Sequence, residues 1–201
     1  MNIKAFLGLL ESNTYVVYTR ELEAMIVDAG APVNQISSFV SENSLKVKYI
    51  VLTHGHYDHA DFAEEYARVF PEAALICHED EIQVLTNPIA NVSKFIAGEK
   101  IYDFDFTTVK HKDTLSLGSA SFEILNMPGH TPGCICLYFE GEGVMFTGDV
   151  LFASSFGRTD FMYGSFEDMK SSLRALSRYP RSVRIYPGHY ESALLSSVFK
   201  N

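Results

Sequence analysis

Residues 53–59, Thr-His-Gly-His-Tyr-Asp-His, hold three of the chain's seven histidines together with an aspartate. An apolar run, KYIVLT at 48–53, leads straight into them. Imidazole nitrogens and carboxylate oxygens crowded beside a buried strand are costly unless each finds a partner. A bound cation would supply the missing bonds, so metal coordination is the chemistry this spacing points to. If the chain stays extended as it leaves the strand, side chains two apart share a face, and His54, His56 and Asp58 point the same way. A helix beginning near Asp58 would place that carboxylate at a favourable N-terminal position and swing His59 elsewhere. One loop could then serve two ions, His54 and His56 going to one, Asp58 and His59 to the other.

Two sites need more donors, and the ends of other apolar runs offer them. His130 sits in MPGHTPG (127–133), stiffened by two prolines and two glycines; Asp149 ends VMFTGD (144–149); His189 ends IYPGH (185–189). Asp149, with two oxygens, could bridge the ions, giving one set of His54, His56, His130 and Asp149 and another of Asp58, His59, Asp149 and His189. The two remaining histidines, His78 and His111, are read as surface residues.

The elements that must carry these loops follow from periodicity. Residues 14–19 and 23–30 read as strands, the second ending in the turn signal Asp28-Ala29-Gly30. Val33, Ile36, Phe39 and Val40 recur at helical spacing behind Pro32, and 48–53 is apolar enough to be buried on both faces. Phe62, Ala63, Tyr66, Val69 and Phe70 mark another helix, stopped by Pro71, with a strand at 73–77. Residues 87–105 read as irregular or weakly helical. Runs at 107–112, 114–117, 119–127, 134–139 and 144–149 read as successive strands of a second sheet. Phe166, Met169, Leu173 and Leu176 line one face of a helix over 165–178; a strand through 183–189 and a short helix finish the chain. This order suits helices flanking two packed sheets better than a doubly wound parallel sheet.

Bulk properties narrow the function classes. At 201 residues the chain fits one domain, 1–201, able to bury a core without disulfides. A net charge of −9 without a basic stripe argues against nucleic acid as partner. No apolar run reaches the 18 or so residues of a membrane helix, and the N-terminus lacks a small-residue cleavage site, so a cytoplasmic protein with no membrane partner is expected. Cys134 and Cys136, inside an apolar strand, are read as small core residues.

With T-H-x-H-x-D-H at Thr53 to His59, followed in order by His130, Asp149 and His189, the chain resembles the metallo-β-lactamase superfamily, in its short glyoxalase II-like (hydroxyacylglutathione hydrolase-like) branch. The resemblance covers essentially the whole chain, from the opening strands through IVDAG (26–30) to YPGH (186–189). It implies an α/β (α+β) fold, a four-layer αββα sandwich with a dinuclear site at one edge. Zinc is the metal it most favours, with iron or manganese as alternatives. Asp28 would lie behind the metal loop and orient a ligand imidazole. Only twelve residues follow His189, so the C-terminal helical domain of full-length glyoxalase II, with its glutathione contacts, is not expected. SSFGRTDFMYG (154–164) resembles the Gly-Arg-Thr-Asp loop of short glyoxalase II-like proteins and persulfide dioxygenases, in which Arg158 would hold an anionic part of the substrate.

The expected reaction is hydrolysis of a small-molecule thioester such as S-lactoylglutathione. Two divalent ions about 3.5 Å apart would share a hydroxide, with Asp58 as the residue orienting it or taking its proton. A thiolate leaves without a strong acid, which the assigned residues do not include. The alternatives are a mononuclear iron persulfide dioxygenase, using His54, His130 and Asp149 as a facial triad, and a lactonase or other ester hydrolase of the same superfamily. The oligomeric state is left open.

Overall fold

The computed structural model describes residues 1–199. Among these residues, twelve strands form two six-stranded sheets. In the first, β1 (Asn2–Leu7), β2 (Asn13–Tyr18), β3 (Glu23–Val27), β4 (Lys46–Val51), β5 (Ala74–His78) and β6 (Thr107–Val109) are neighbours in sequence order. The second runs from β7 (Thr114–Leu117) through β8 (Ala120–Asn126), β9 (Ile135–Phe139), β10 (Val144–Gly148) and β11 (Arg184–Pro187) to β12 (Ala193–Leu194). Both sheets are mixed: β3 to β6 pair in parallel, as do β10 and β11, and the other pairings are antiparallel.

Alternation along the strands builds the layers. Val17, Met25, Val27, Val51 and Ile76 of the first sheet meet Phe122, Ile124, Leu137, Phe139 and Phe146 of the second in a core between the sheets. The intervening residues Val16, Ala24, Ile26 and Ile50 face outward onto Ile36 and Val40 of the helix Val33–Glu42 and Tyr66 of the helix Ala63–Val69. On the far side, Leu125, Cys136, Met145 and Ile185 pack beneath Met169 and Leu176 of the helix Phe166–Leu176. With helices on both outer faces, the central strands are buried on both sides and read as unbroken apolar runs. This is the expected four-layer αββα arrangement, and Cys134 and Cys136 are buried free thiols within it.

Two expectations are corrected. The strand at 107–109 belongs to the first sheet, pairing in parallel with β5, and not to the second. His78, read as a surface residue, is buried at the end of β5, where its Nδ1 accepts the N–H of Asp80 at 3.2 Å. His111 is exposed, as expected. Within 87–105 one short helix, Ser93–Ile96, interrupts otherwise irregular chain.

Candidate metal centre

All seven predicted donors converge at one edge of the sandwich. The loop after β4 supplies four of them. His56 is extended (φ −67°, ψ 150°) and caps a four-residue helix, Tyr57–Ala60, whose first turn holds Asp58. That turn sends His59 away from His56. His130 comes from the β8–β9 loop, Asp149 directly follows β10, and His189 lies two residues past the end of β11. Because β10 and β11 run parallel, their exit loops open on the same side.

The donors form three overlapping groups whose ligating atoms lie within 4.8 Å of one another: His54, His56 and His130; His54, His59 and Asp149; and Asp58, His59 and His189. Asp149 stands between them, with Oδ1 3.6 Å from His59 Nε2 and Oδ2 3.6 Å from His130 Nε2 and 3.7 Å from His189 Nε2. Asp58 Oδ2 lies 3.2 Å from His189 Nε2, and the Nε2 atoms of His59 and His189 are 3.3 Å apart. Donors about 2.0–2.1 Å from one tetrahedral ion are about 3.3–3.4 Å from each other, so these separations suit a shared cation.

Whether the residues fit a metal is tested by the buried polar atoms. Among the described residues, five buried side-chain atoms lack a protein hydrogen-bond partner, and four of them are His54 Nε2, His56 Nε2, His130 Nε2 and Asp149 Oδ1. Orphaned atoms of this kind are rare in native interiors. Their concentration at one point fits a cation that completes them.

Most of the rings are fixed from behind. Asp28, itself buried in a left-handed conformation (φ 63°) that aspartate tolerates, accepts the Thr53 N–H (2.7 Å), the Thr53 hydroxyl (2.9 Å) and His59 Nδ1 (2.9 Å). Having donated its proton to Asp28, the Thr53 hydroxyl presents a lone pair to His54 Nδ1 at 3.2 Å. The carbonyls of Arg158 and Glu11 take the Nδ1 protons of His130 and His189 at 2.7 and 3.2 Å. Each bond keeps a proton on Nδ1, so that with a cation in place Nε2 would be the nitrogen that offers its lone pair. Close packing also dictates a glycine: a Cβ on Gly188 would overlap Asp149 Oδ1 and come 2.8 Å from His59 Cε1.

The two halves of the centre carry opposite charge preferences. Burial, reinforced by neighbouring imidazoles, holds His54 and His56 well below the ordinary imidazole range, and burial lowers His130 as well. For His59 burial acts in the same sense, but the carboxylates of Asp58, Asp28 and Asp149 outweigh it and raise the pKa to about 10. His189 is raised against its burial by the hydrogen bond to Asp58 and the charge of Asp149. Asp58, pushed up by burial, is held below the usual carboxylate range by His59 and His189.

Above the donors lies a cavity of about 410 Å³, with Asp58, Asp149, His56, His130 and His189 in its wall and Leu10, Phe152, Phe156 and Phe161 among its apolar lining. Arg158 lines it too. Its guanidinium forks onto Asp160 through two 2.7 Å bonds and rests 3.9 Å over the Phe161 ring. Tyr190, given no role from the sequence, also lines this cavity.

Sequence reasoning missed Glu81. This fully buried carboxylate accepts three hydrogen bonds, from Gly55 N–H, the Thr131 hydroxyl and Gly133 N–H, and burial raises its pKa to about 7. Nothing in Glu79-Asp80-Glu81 separates it from an ordinary solvated acidic turn.

Fold and site together define an αββα protein with a histidine and aspartate metal-binding edge. The chain belongs to the metallo-β-lactamase superfamily, whose family profile matches residues 7–189. It is 31% identical over 176 residues to the hydroxyacylglutathione hydrolase GloC of Haemophilus influenzae, covering 87% of this chain and 83% of that protein. The BLEG-1 B3 metallo-β-lactamase superposes with a TM-score of 0.89 at 28% identity, covering 98% of this chain and 95% of the other. TTHA1623, solved in a di-iron-bound form, shares the fold with a TM-score of 0.86 at 23% identity, over 98% and 96% of the two chains. The family binds metal ions and generally hydrolyses small molecules. Among the described residues, no helix is long and apolar enough to cross a membrane.

Proposed function

We propose that this protein is a metal-dependent thioester hydrolase of the hydroxyacylglutathione hydrolase type, acting on S-lactoylglutathione or a similar acylthiol. The observation that carries this reading is the convergence of His54, His56, His130 and Asp149, with unpartnered buried donor atoms, at a cavity large enough for a small acyl group. The likeness to GloC supports the thioester class. His54, His56, His130 and Asp149 would hold one ion, and Asp58, His59, Asp149 and His189 a second, with zinc the favoured metal. Bound there, divalent ions supply a Lewis acid and a water whose pKa falls toward about 7.

The chain's own residues do the rest. Asp58, ionised because His59 and His189 stabilise its charge, orients the attacking water and accepts its proton. Asp28 and the Arg158 carbonyl keep the imidazoles in the tautomer that coordinates. The apolar wall limits competing water near the reacting carbonyl, and Arg158 meets a substrate carboxylate by exchanging it for Asp160. A thiolate departs without a protonated partner, which matches the lack of a dedicated acid among these residues.

The test is release of free thiol from S-lactoylglutathione by zinc-loaded protein, with His56→Ala and Asp149→Ala expected to be inactive. Full activity in either variant would refute the assignment. One observation favours a second reading, a mononuclear iron persulfide dioxygenase with one filled site: His54, His56, His130 and Asp149 carry orphaned atoms, whereas Asp58, His59 and His189 face one another. Metal stoichiometry separates the two, two ions per chain favouring the hydrolase and one iron the dioxygenase.

A further inference from the structure

Glu81 occupies a turn of the first sheet, yet its bonds reach loops that leave both sheets. Oε1 accepts the N–H of Gly55, the residue between His54 and His56, at 2.7 Å. Oε2 accepts the hydroxyl of Thr131, the residue after His130, at 2.9 Å, and the N–H of Gly133 at 2.8 Å. Space for this contact requires glycine on the far side, since a Cβ on Gly133 would come within 2.6 Å of Oε2. A backbone bond from Ile135 N–H to the Thr53 carbonyl, 2.9 Å, joins the same two loops where they meet their strands. Glu81 joins them again beside the histidines themselves.

We propose that Glu81 is a positioning residue that sets the spacing between the His54/His56 loop and the His130 loop, and through it the affinity of this histidine trio for a divalent cation. The inference rests on the reading of these residues as a metal centre, and not on the identity of the substrate. The chemistry calls for a carboxylate. Three donors aim at two oxygens, and the backbone N–H groups of Gly55 and Gly133, one on each oxygen, can only donate. A carboxamide of the same shape would turn its NH₂ either onto the Gly55 N–H or onto the Thr131 and Gly133 donors. Glu81→Gln therefore frees one loop from the other with almost no change in volume.

Cobalt(II) is the probe, because its d–d absorption reports ligand geometry independently of turnover. Metal-free wild type, Glu81→Gln, Thr131→Val and Tyr66→Phe are titrated with cobalt against a competing chelator, and their melting temperatures are measured. Tyr66→Phe is the stability control, removing a buried 2.7 Å bond to the Ala31 carbonyl outside the centre. Glu81→Gln is expected to weaken the first cobalt equivalent by about 10- to 100-fold and to alter its band, as loss of a residue supporting metal ligands typically does. Thr131→Val shifts both readings in the same direction by less, and Tyr66→Phe moves only the melting temperature. A folded Glu81→Gln protein with wild-type affinity and spectrum overturns the proposal, as does an affinity loss matched by Tyr66→Phe. If Glu81→Gln does not fold, an unchanged spectrum and affinity in Thr131→Val overturns it instead. Wild type that takes up no cobalt defeats the metal reading and this inference together.

Discussion

Asp28→Asn isolates what one buried carboxylate does for both halves of the centre. Oδ1 accepts the Thr53 N–H, and Oδ2 accepts both the Thr53 hydroxyl and His59 Nδ1. An asparagine that keeps its carbonyl on the Thr53 N–H points its NH₂ at the other two donors. His59 must then accept at Nδ1, which moves its proton to Nε2, the atom facing Asp58 and Asp149 at 3.6 Å. The lone pair needed by an ion is lost. Thr53 loses its acceptor as well, so its hydroxyl hydrogen is free to turn onto His54 Nδ1 and no longer holds that ring's proton there. Metal affinity is expected to fall about 10- to 100-fold, or about 1.4–2.8 kcal/mol. Losing one charge-assisted buried hydrogen bond costs about 1.5–3 kcal/mol of stability in the metal-free protein. For a chain of this length that lowers the melting temperature by about 3–12 °C. Competition of the zinc-loaded protein with a chromophoric chelator gives the affinity, and thermal melts of the metal-free form give the stability. Because the substitution preserves shape, Asp28→Asn protein that binds zinc as tightly as wild type refutes the argument that this carboxylate sets the tautomer.

In the metal-free protein the raised pKa of His59 contributes stability that is full below about pH 6.5 and is lost as the pH rises through about 10. The melting-temperature difference between wild type and His59→Gln should therefore shrink across that window, and a difference flat from pH 6.5 to 10 would contradict it. Arg158→Ala removes the guanidinium but keeps the carbonyl that holds His130, so metal content should be unchanged. Its KM for S-lactoylglutathione should rise by up to about fivefold, the worth of about 1 kcal/mol at an exposed site, with kcat nearly constant. Loss of bound metal in that variant would instead assign the side chain to the centre.

Much of the centre was legible in residue order, because the signals concerned are local. Two-residue periodicity and the apolar run at 48–53 place His54 and His56 at a strand exit, and Pro-Gly-His twice marks a stiff loop after a strand. Periodicity showed Asp28 only as a turn, the family resemblance placed it behind the metal loop, and its three bonds to that loop appear once β3 and β4 lie side by side. Arg158 was visible as a charge, but its pairing with Asp160 and the use of its carbonyl by His130 were not.

Spacing and alternation along the chain pointed to the candidate donors and to two packed sheets flanked by helices, because those patterns follow from covalent geometry over a few residues, while the four-layer αββα arrangement came from the family resemblance. Tertiary packing alone decided that 107–109 joins the first sheet, that His78 is buried, and that Glu81 ties together two loops from opposite sheets. The physical reason is that edge pairing and the burial of a charge depend on which distant groups arrive nearby. Gly55 and Gly133, which Glu81 brings into contact, lie 26 and 52 residues from it in the chain, and no local pattern encodes that meeting.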